Sequence, residues 1–406
     1  MALEKTWRWF GFNDPIKLAD MAQMGVEGVV TALHHIPNGE VWEVDEILKV
    51  KKAIEAHAMR WSVVESLPVS EGIKIKSADR PRLIENYRQS LRNIGQCGID
   101  TVVYNFMPVI DWVRTNLTYK VENGGESMYF DLPTFAAFDI FLLNRPNASK
   151  DYPPELLEKA RQIAGKLTKE QADELVYNII VLTQGFINGV IDGSVADPKS
   201  LFLQFISRYR GIDKSRLRMH LKEFLDDVVP IAEQVGINLC IHPDDPPFPV
   251  LGLPRIVSTS EDIEWILNAN TSVNNGFAFC AGSLSARADN HLPAMARKFA
   301  SRIHFSHLRN TQLLPDGSFY ESGHLKGSQN MAALVTELLK EQKRRKETGR
   351  SDYRMPFRPD HGIKILSDFD IKYNPGYPLI GRLMGLAEIE GLMAGIENFI
   401  YSEKFN

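Results

Sequence analysis

Ile237-Asn238-Leu239-Cys240-Ile241-His242-Pro243-Asp244-Asp245-Pro246-Pro247 is the stretch on which the fold turns. Its apolar part, Ile237 to Ile241, reads as a buried strand. A histidine stands where the strand ends, and two carboxylates and three prolines follow at once. Proline fixes φ, so the loop holds His242 in one direction. An α/β barrel carries its chemistry at the C-terminal ends of its parallel strands, where this reading puts His242. Taken alone, the segment also fits a histidine that merely caps a loop.

Upstream, strands and helices alternate. Trp7-Arg8-Trp9-Phe10 suits a first strand, and Asn13-Asp14-Pro15 opens a helix to about Met24. Gly28 to Leu33 is a second strand, ending in His34-His35-Ile36-Pro37, and a helix follows over Val44 to His57. Arg60 to Glu65 and Thr101 to Phe106 are the third and fourth strands, separated by a helix from about Asp79 to Gln96. Downstream of His242, a helix runs from Ser260, read as its cap, to Asn270. Strands at Gly276–Cys280, Arg302–His307 and Met355–Asp360 then alternate with helices at Leu292–Ala300, Gly327–Glu347 and Pro378–Ala394. Counting the strand before His242, this makes eight strand-helix units, the number that closes a (β/α)8 TIM barrel.

Residues 111–214 break the alternation. They carry helical segments such as Pro154 to Lys166 and Lys169 to Leu182, and the helix due after strand four appears only at about Ser215 to Gln234. A structureless loop of that length is improbable, so the segment reads as a large helical insertion after strand four. The expected organisation is one catalytic barrel domain, 1–110 with 215–406, and an insertion, 111–214, over its C-terminal face. There the insertion would serve as a lid or as the interface of a homo-oligomer, a dimer or higher.

The chain has 406 residues, 44% hydrophobic and 24% charged, which is ordinary for a soluble globular protein. Its net charge of -4 and its single basic run, Lys343-Arg344-Arg345-Lys346, read as a solvated helix face, argue against a nucleic-acid partner. No apolar run approaches the ~18 residues of a membrane span. Met1 to Thr6 lacks a signal-peptide core. The three cysteines, Cys97, Cys240 and Cys280, form no disulfide framework. A reducing cytoplasm is therefore expected.

Four strand ends in the second half carry potential metal ligands: His242, Cys280, His307 and Asp360. Adjacent strands lie about 4.8 Å apart, so four neighbouring ends can converge on one point. Imidazole, thiolate, imidazole and carboxylate suit a divalent transition metal. Each residue has a plainer reading on its own, as core packing or a loop cap, but the four would have to coincide at one end of four adjacent strands. Strand parity sets His304 opposite to His307 and places Cys240 one layer below His242, as packing. Cys97 reads as structural, and His57, His220, His291 and His324 as surface or locally hydrogen-bonded. His361 follows Asp360 directly and points elsewhere, towards a bound substrate. Asn374-Pro375-Gly376-Tyr377 is a turn presenting Tyr377, either as acid/base partner to His361 or as an aromatic cap on the barrel. Arg114 suits a bidentate grip on a substrate carboxylate, with a surface salt bridge as the alternative.

Seven stretches together resemble the metal-dependent mannonate dehydratase family of the xylose-isomerase-like barrels. They are Ala32-Leu33-His34-His35-Ile36-Pro37, Tyr104 to Pro108 with Asp111-Trp112-Val113-Arg114, Ile241 to Pro247, Phe279-Cys280-Ala281-Gly282-Ser283, Phe305-Ser306-His307-Leu308-Arg309, Arg358-Pro359-Asp360-His361-Gly362, and Asn374 to Tyr377. They span nearly the whole chain. The resemblance implies that His242, Cys280, His307 and Asp360 bind one Mn²⁺ or Fe²⁺ per subunit, and that His361 and Tyr377 serve catalysis. Arg114, His35, Arg309 and Asn105 are the matching candidates for substrate binding. The implied reaction is loss of water from D-mannonate to give 2-dehydro-3-deoxy-D-gluconate, a step of hexuronate (glucuronate) catabolism. Two alternatives remain beside it. A sugar isomerase on the same barrel would want a carboxylate-rich site for two metals. A non-catalytic sugar-acid or metal-binding protein would have no use for His361 and Tyr377.

Overall fold

Short, fully buried strands followed by amphipathic helices dictate the architecture. The computed structural model describes residues 2–184, 191 and 194–400. In chain order its strands are β1 (Glu4–Arg8), β2 (Gly28–Thr31), β3 (Arg60–Glu65), β4 (Thr101–Tyr104), β5 (Asn116–Lys120) and β6 (Glu126–Phe130). They continue with β7 (Asn238–Ile241), β8 (Asn275–Cys280), β9 (Ile303–His307), β10 (Thr311–Leu313), β11 (Phe319–Glu321) and β12 (Pro356–Arg358). Eight of them close a parallel barrel in the order β1-β12-β9-β8-β7-β4-β3-β2. The barrel strands are those read from the sequence, with ends shifted by a few residues.

Parity sorts the strand residues as expected. Val30, Val63, Val103, Cys240, Ala278 and Phe305, one from each of six strands, form a packed layer inside the barrel. His307 shares its strand face with Phe305, whereas His304 bonds Val273 O on the outside at 2.9 Å. A register shift at Phe277/Ala278 leaves Cys280 paired with His307, and His307 is paired with Arg358 on its other side. Helices cover the outer face. Lys214–Val235, for example, buries Leu217, Leu221, Phe224, Leu225 and Val228, with Asp213 capping its start. Among the described residues no helix is long and apolar enough to cross a membrane.

Three local expectations need correction. The helix from Ser260 is capped by Thr259, whose hydroxyl accepts from Asp262 N at 3.2 Å. The basic run is not a uniformly solvated face. Arg345 is buried and donates to Ala300 O and Ile303 O at 2.9 and 2.8 Å, because it lies on the helix stripe that carries Leu338 and Glu341. Finally, the segment read as a helical insertion opens with a hairpin, β5–β6, turning at Asn123-Gly124-Gly125. That hairpin joins β10–β11, which follows β9, in a four-stranded antiparallel sheet. Its helices come after, and Phe135, Phe138 and Ile179 share one hydrophobic cluster with the barrel.

Candidate metal centre and active site

His242 leaves the end of β7, while Cys280 and His307 close β8 and β9. Their ligand atoms all lie within 4.8 Å of one another. His242 Nε2 is 3.3 Å from His307 Nδ1. Asp360, just beyond β12, stands beside the trio with Oδ2 3.6 Å from His307 Nδ1. Its backbone is left-handed at φ 63, an uncommon state for a non-glycine residue and one that recurs at functional sites. Arg309 Nε donates to Asp360 Oδ2 at 2.5 Å, and Arg358 bonds the other oxygen.

The donor chemistry fits a divalent transition metal. Burial alone would raise the Cys280 thiol, but Arg309 and the two histidines beside it hold it well below its ordinary value. Burial likewise opposes a charge on His242, yet its bond to Cys280 lifts it to about 9. Both effects favour the thiolate form of Cys280. Outer contacts orient the donors: His242 Nδ1 donates to Pro243 O at 2.7 Å, and Ser283 Oγ donates to Cys280 Sγ at 3.1 Å.

His242 and Asp360 line a cavity of about 580 Å³, counting its open mouth. Arg8, Arg309 and Arg358 give it cationic walls, and Phe10 and Trp112 give it aromatic ones. His361 and Tyr377 line it together, their rings perpendicular with centroids 5.1 Å apart. His361 Nδ1 donates to Glu321 Oε1 at 3.1 Å. Tyr377 OH lies 3.5 Å from Asp360 Oδ1, and burial, opposed by Arg358, pushes the phenol up to about 12. A bond from Gly362 N to Gly376 O at 3.0 Å ties the two loops. Gly376 is required there: its φ is 83, and a Cβ would meet the Met128 side chain and, at 3.1 Å, His361.

Two of the four residues expected to bind substrate line the cavity. Arg309 does so while bonded to Asp245 (2.6 Å), Glu321 (2.8 Å) and Asp360. Asn105 bonds Asp111, leaving its own Oδ1 buried without a hydrogen-bond partner. The other two do not. Arg114 is 0% exposed and grips a carboxylate of the protein itself, Asp245, at 2.6 and 3.1 Å, with Glu321 at 2.7 Å. The buried acids need a counter-charge, and Arg114 supplies it beneath the wall. His35 is turned out of its loop to solvent, 2.9 Å from Glu46. Asp244 and Asp245 are anchors: Asp244 accepts from Val257 N and Ser258 Oγ, and Asp245 from Arg114 and Arg309.

Sequence reading passed over Glu65, Arg358, Arg8 and Glu321. Glu65 carried a faint signal, an acid closing a strand directly after Val63-Val64. Burial would raise it, but Arg358, His307 and Arg8 hold it well below the carboxylate range. Glu321 carried none, because its role depends on which sheet β11 joins.

The family model for D-mannonate dehydratase (UxuA) matches residues 3–403. A mannonate dehydratase from Marinomonas sp. (strain MWYL1) is 47% identical over 397 residues, covering 98% of this chain and 100% of that protein. Mannonate dehydratase 1 from Agrobacterium fabrum (strain C58) is 47% identical over 394 residues, with 96% of each chain covered. The crystal structure of mannonate dehydratase from Streptococcus suis serotype 2 superposes with a TM-score of 0.76 at 31% identity, covering 98% of this chain and 94% of that one. A D-tagatose 3-epimerase-like protein, at 11% identity and a TM-score of 0.51 over 98% of this chain and 100% of its own, shares the fold alone. With its barrel and a family match over nearly its full length, the chain belongs to the D-mannonate dehydratase family.

Proposed function

We infer that the chain removes water from D-mannonate to give 2-dehydro-3-deoxy-D-gluconate. The observation that carries this reading is the convergence of His242, Cys280 and His307, with His242 lining a cavity that His361 and Tyr377 also line. In the reaction the C2–H bond breaks, its electrons form the C2–C3 double bond, and the C3 hydroxyl leaves with a proton as water. The resulting enol becomes the 2-keto acid. The C2 proton is weakly acidic because its neighbour is a carboxylate. A divalent ion held by His242, Cys280, His307 and Asp360 would supply the charge stabilisation that this deprotonation needs.

This chain's residues divide the proton work. With Nδ1–H committed to Glu321, His361 offers Nε2 to the cavity as the base. The phenol of Tyr377, kept protonated by burial, faces an acceptor in Asp360 and is the acid for the leaving hydroxyl. The cationic wall that Arg8, Arg309 and Arg358 give the cavity suits an anionic substrate. Family resemblance favours Mn²⁺ or Fe²⁺, whereas donor affinity alone favours Zn²⁺.

The test follows formation of the 2-keto-3-deoxy acid from D-mannonate after chelation and after restoring Mn²⁺, Fe²⁺ or Zn²⁺. Activity should vanish on chelation and return with metal. His361→Asn and Tyr377→Phe should each lower kcat by on the order of 10²- to 10⁴-fold. No product with any divalent ion would sink the dehydratase reading, and full activity in both variants would sink the assignment of the pair.

A further inference from the structure

Glu65 closes β3, and β3 lies four strands from β9 in either direction around the barrel. The two strands face each other across the axis. Glu65 reaches over the mouth, and its Oε1 lies 2.9 Å from His307 Nε2. The other imidazole nitrogen, Nδ1, is the one turned to His242 Nε2 at 3.3 Å and to Asp360 Oδ2 at 3.6 Å. His307 thus has one nitrogen on an acid and the other in the ligand cluster. In a neutral imidazole one nitrogen carries the proton and the other a lone pair, and an acid beside one of them decides which.

Glu65 is itself held in place. Arg358 Nη2 donates to Oε1 at 3.0 Å, Arg358 Nε lies 2.9 Å from Oε2, and Arg8 donates to the Glu65 carbonyl. The same Arg358 bonds Asp360, so one guanidinium fixes both acids beside His307. The outer nitrogen of His242 meets a neutral carbonyl, Pro243 O. His307 meets a full negative charge.

We propose that Glu65 is a positioning residue of the metal centre: it fixes the proton of His307 on Nε2, so that the Nδ1 lone pair faces the ion, and thereby sets the metal affinity of the site. The proposal rests on the reading of His242, Cys280 and His307 as ligands and adds a residue from the opposite wall. Carboxylate partners of ligating histidines orient the ring and raise its basicity, and losing one weakens metal binding by roughly 10- to 100-fold.

The experiment titrates full-length metal-free protein with Mn²⁺ and with Co²⁺ against a competing chelator, and records the Co²⁺ absorption bands at saturation. Glu65→Gln, of nearly equal shape, should bind both ions roughly 10- to 100-fold more weakly. Its Co²⁺ bands should also shift, because the donor strength and aim of His307 change. Glu65→Asp keeps the charge for the two arginines but withdraws the oxygen by a methylene. It should fall between wild type and Glu65→Gln, and it decides the matter by the same measures if Glu65→Gln does not fold. Wild-type affinity in the variants would overturn the proposal, and so would weakened binding with an unshifted Co²⁺ spectrum, the mark of a merely structural role. Failure of the wild type to bind either ion would overturn the ligand reading beneath it, a result distinct from both.

Discussion

Cys240 and Cys280 show how position gives one residue type two chemistries. Cys240 packs among valines inside the barrel, where burial pushes its thiol well above the ordinary value. Cys280, at the end of the neighbouring strand, meets Arg309 and two histidines, which hold its thiol well below the ordinary value. Depth along the strand separates them, Cys240 lying one layer below the strand ends, whereas the period of two separates His304 from His307. It could not reveal Arg309 or Glu65, because those contacts come from other strands. The outward His304 carries a prediction of its own. Burial lowers it below the usual 6.5, Arg345 adds to the effect, and its ion pair with Asp352 opposes it. The unfolded chain therefore takes up this proton more readily than the folded one. The stability linked to His304 is complete above about pH 6.5 and is lost as pH falls below it, at up to about 1.4 kcal/mol per pH unit. Denaturant unfolding between pH 7.5 and about 5 should show a shallower decline for His304→Gln than for the wild type. Parallel declines would reject the assignment.

At the scale of elements, the four-stranded sheet was the main feature missed. Its first hairpin carried a signal: Asn123-Gly124 is a strong short-range turn cue, flanked by Asn116–Lys120 and Glu126–Phe130. The helical segments further on overshadowed it. Its pairing with β10–β11 was not legible, since the partners lie far apart in sequence and meet only above the closed barrel. The pairing delivers Glu321 into contact with Arg309, Arg114 and His361. The two arginines outweigh burial and hold its carboxylate down at about 2, so it meets His361 as an anion. An amide there can donate to Nδ1 and favour the other tautomer, the fault that cripples a catalytic histidine whose orienting acid is replaced. Glu321→Gln should lower kcat by on the order of 10²- to 10⁴-fold while KM and metal content change little. Steady-state kinetics with metal analysis checks this. A loss carried by KM would mean that the sheet serves substrate binding instead.

At the scale of the molecule, the count of strand-helix units was legible because each unit is local, whereas the site is a property of closure. The proposed ligands, at the ends of β8 and β9 and just beyond β7 and β12, lie along one arc of the wall, and Glu65 leans on that arc from the opposite side. An ion held by the arc joins four neighbouring strand ends that otherwise depend on ladder bonds and the layer beneath. Because the unfolded chain lacks the assembled site, binding adds to folding stability by mass action, about 2.7 kcal/mol when free metal is 100 times its Kd. In a chain of this size that corresponds to a rise in Tm on the order of 5 °C. Chelation should remove the rise and excess Mn²⁺ restore it, as read by thermal unfolding at fixed protein concentration. Cys280→Ala deletes the thiolate without adding bulk to the packed barrel end, so it should abolish the metal-dependent part of the Tm. An equal response to Mn²⁺ in wild type and Cys280→Ala would show that the stabilising ion sits elsewhere. If neither protein responded, the trio would not be gripping metal in the native state.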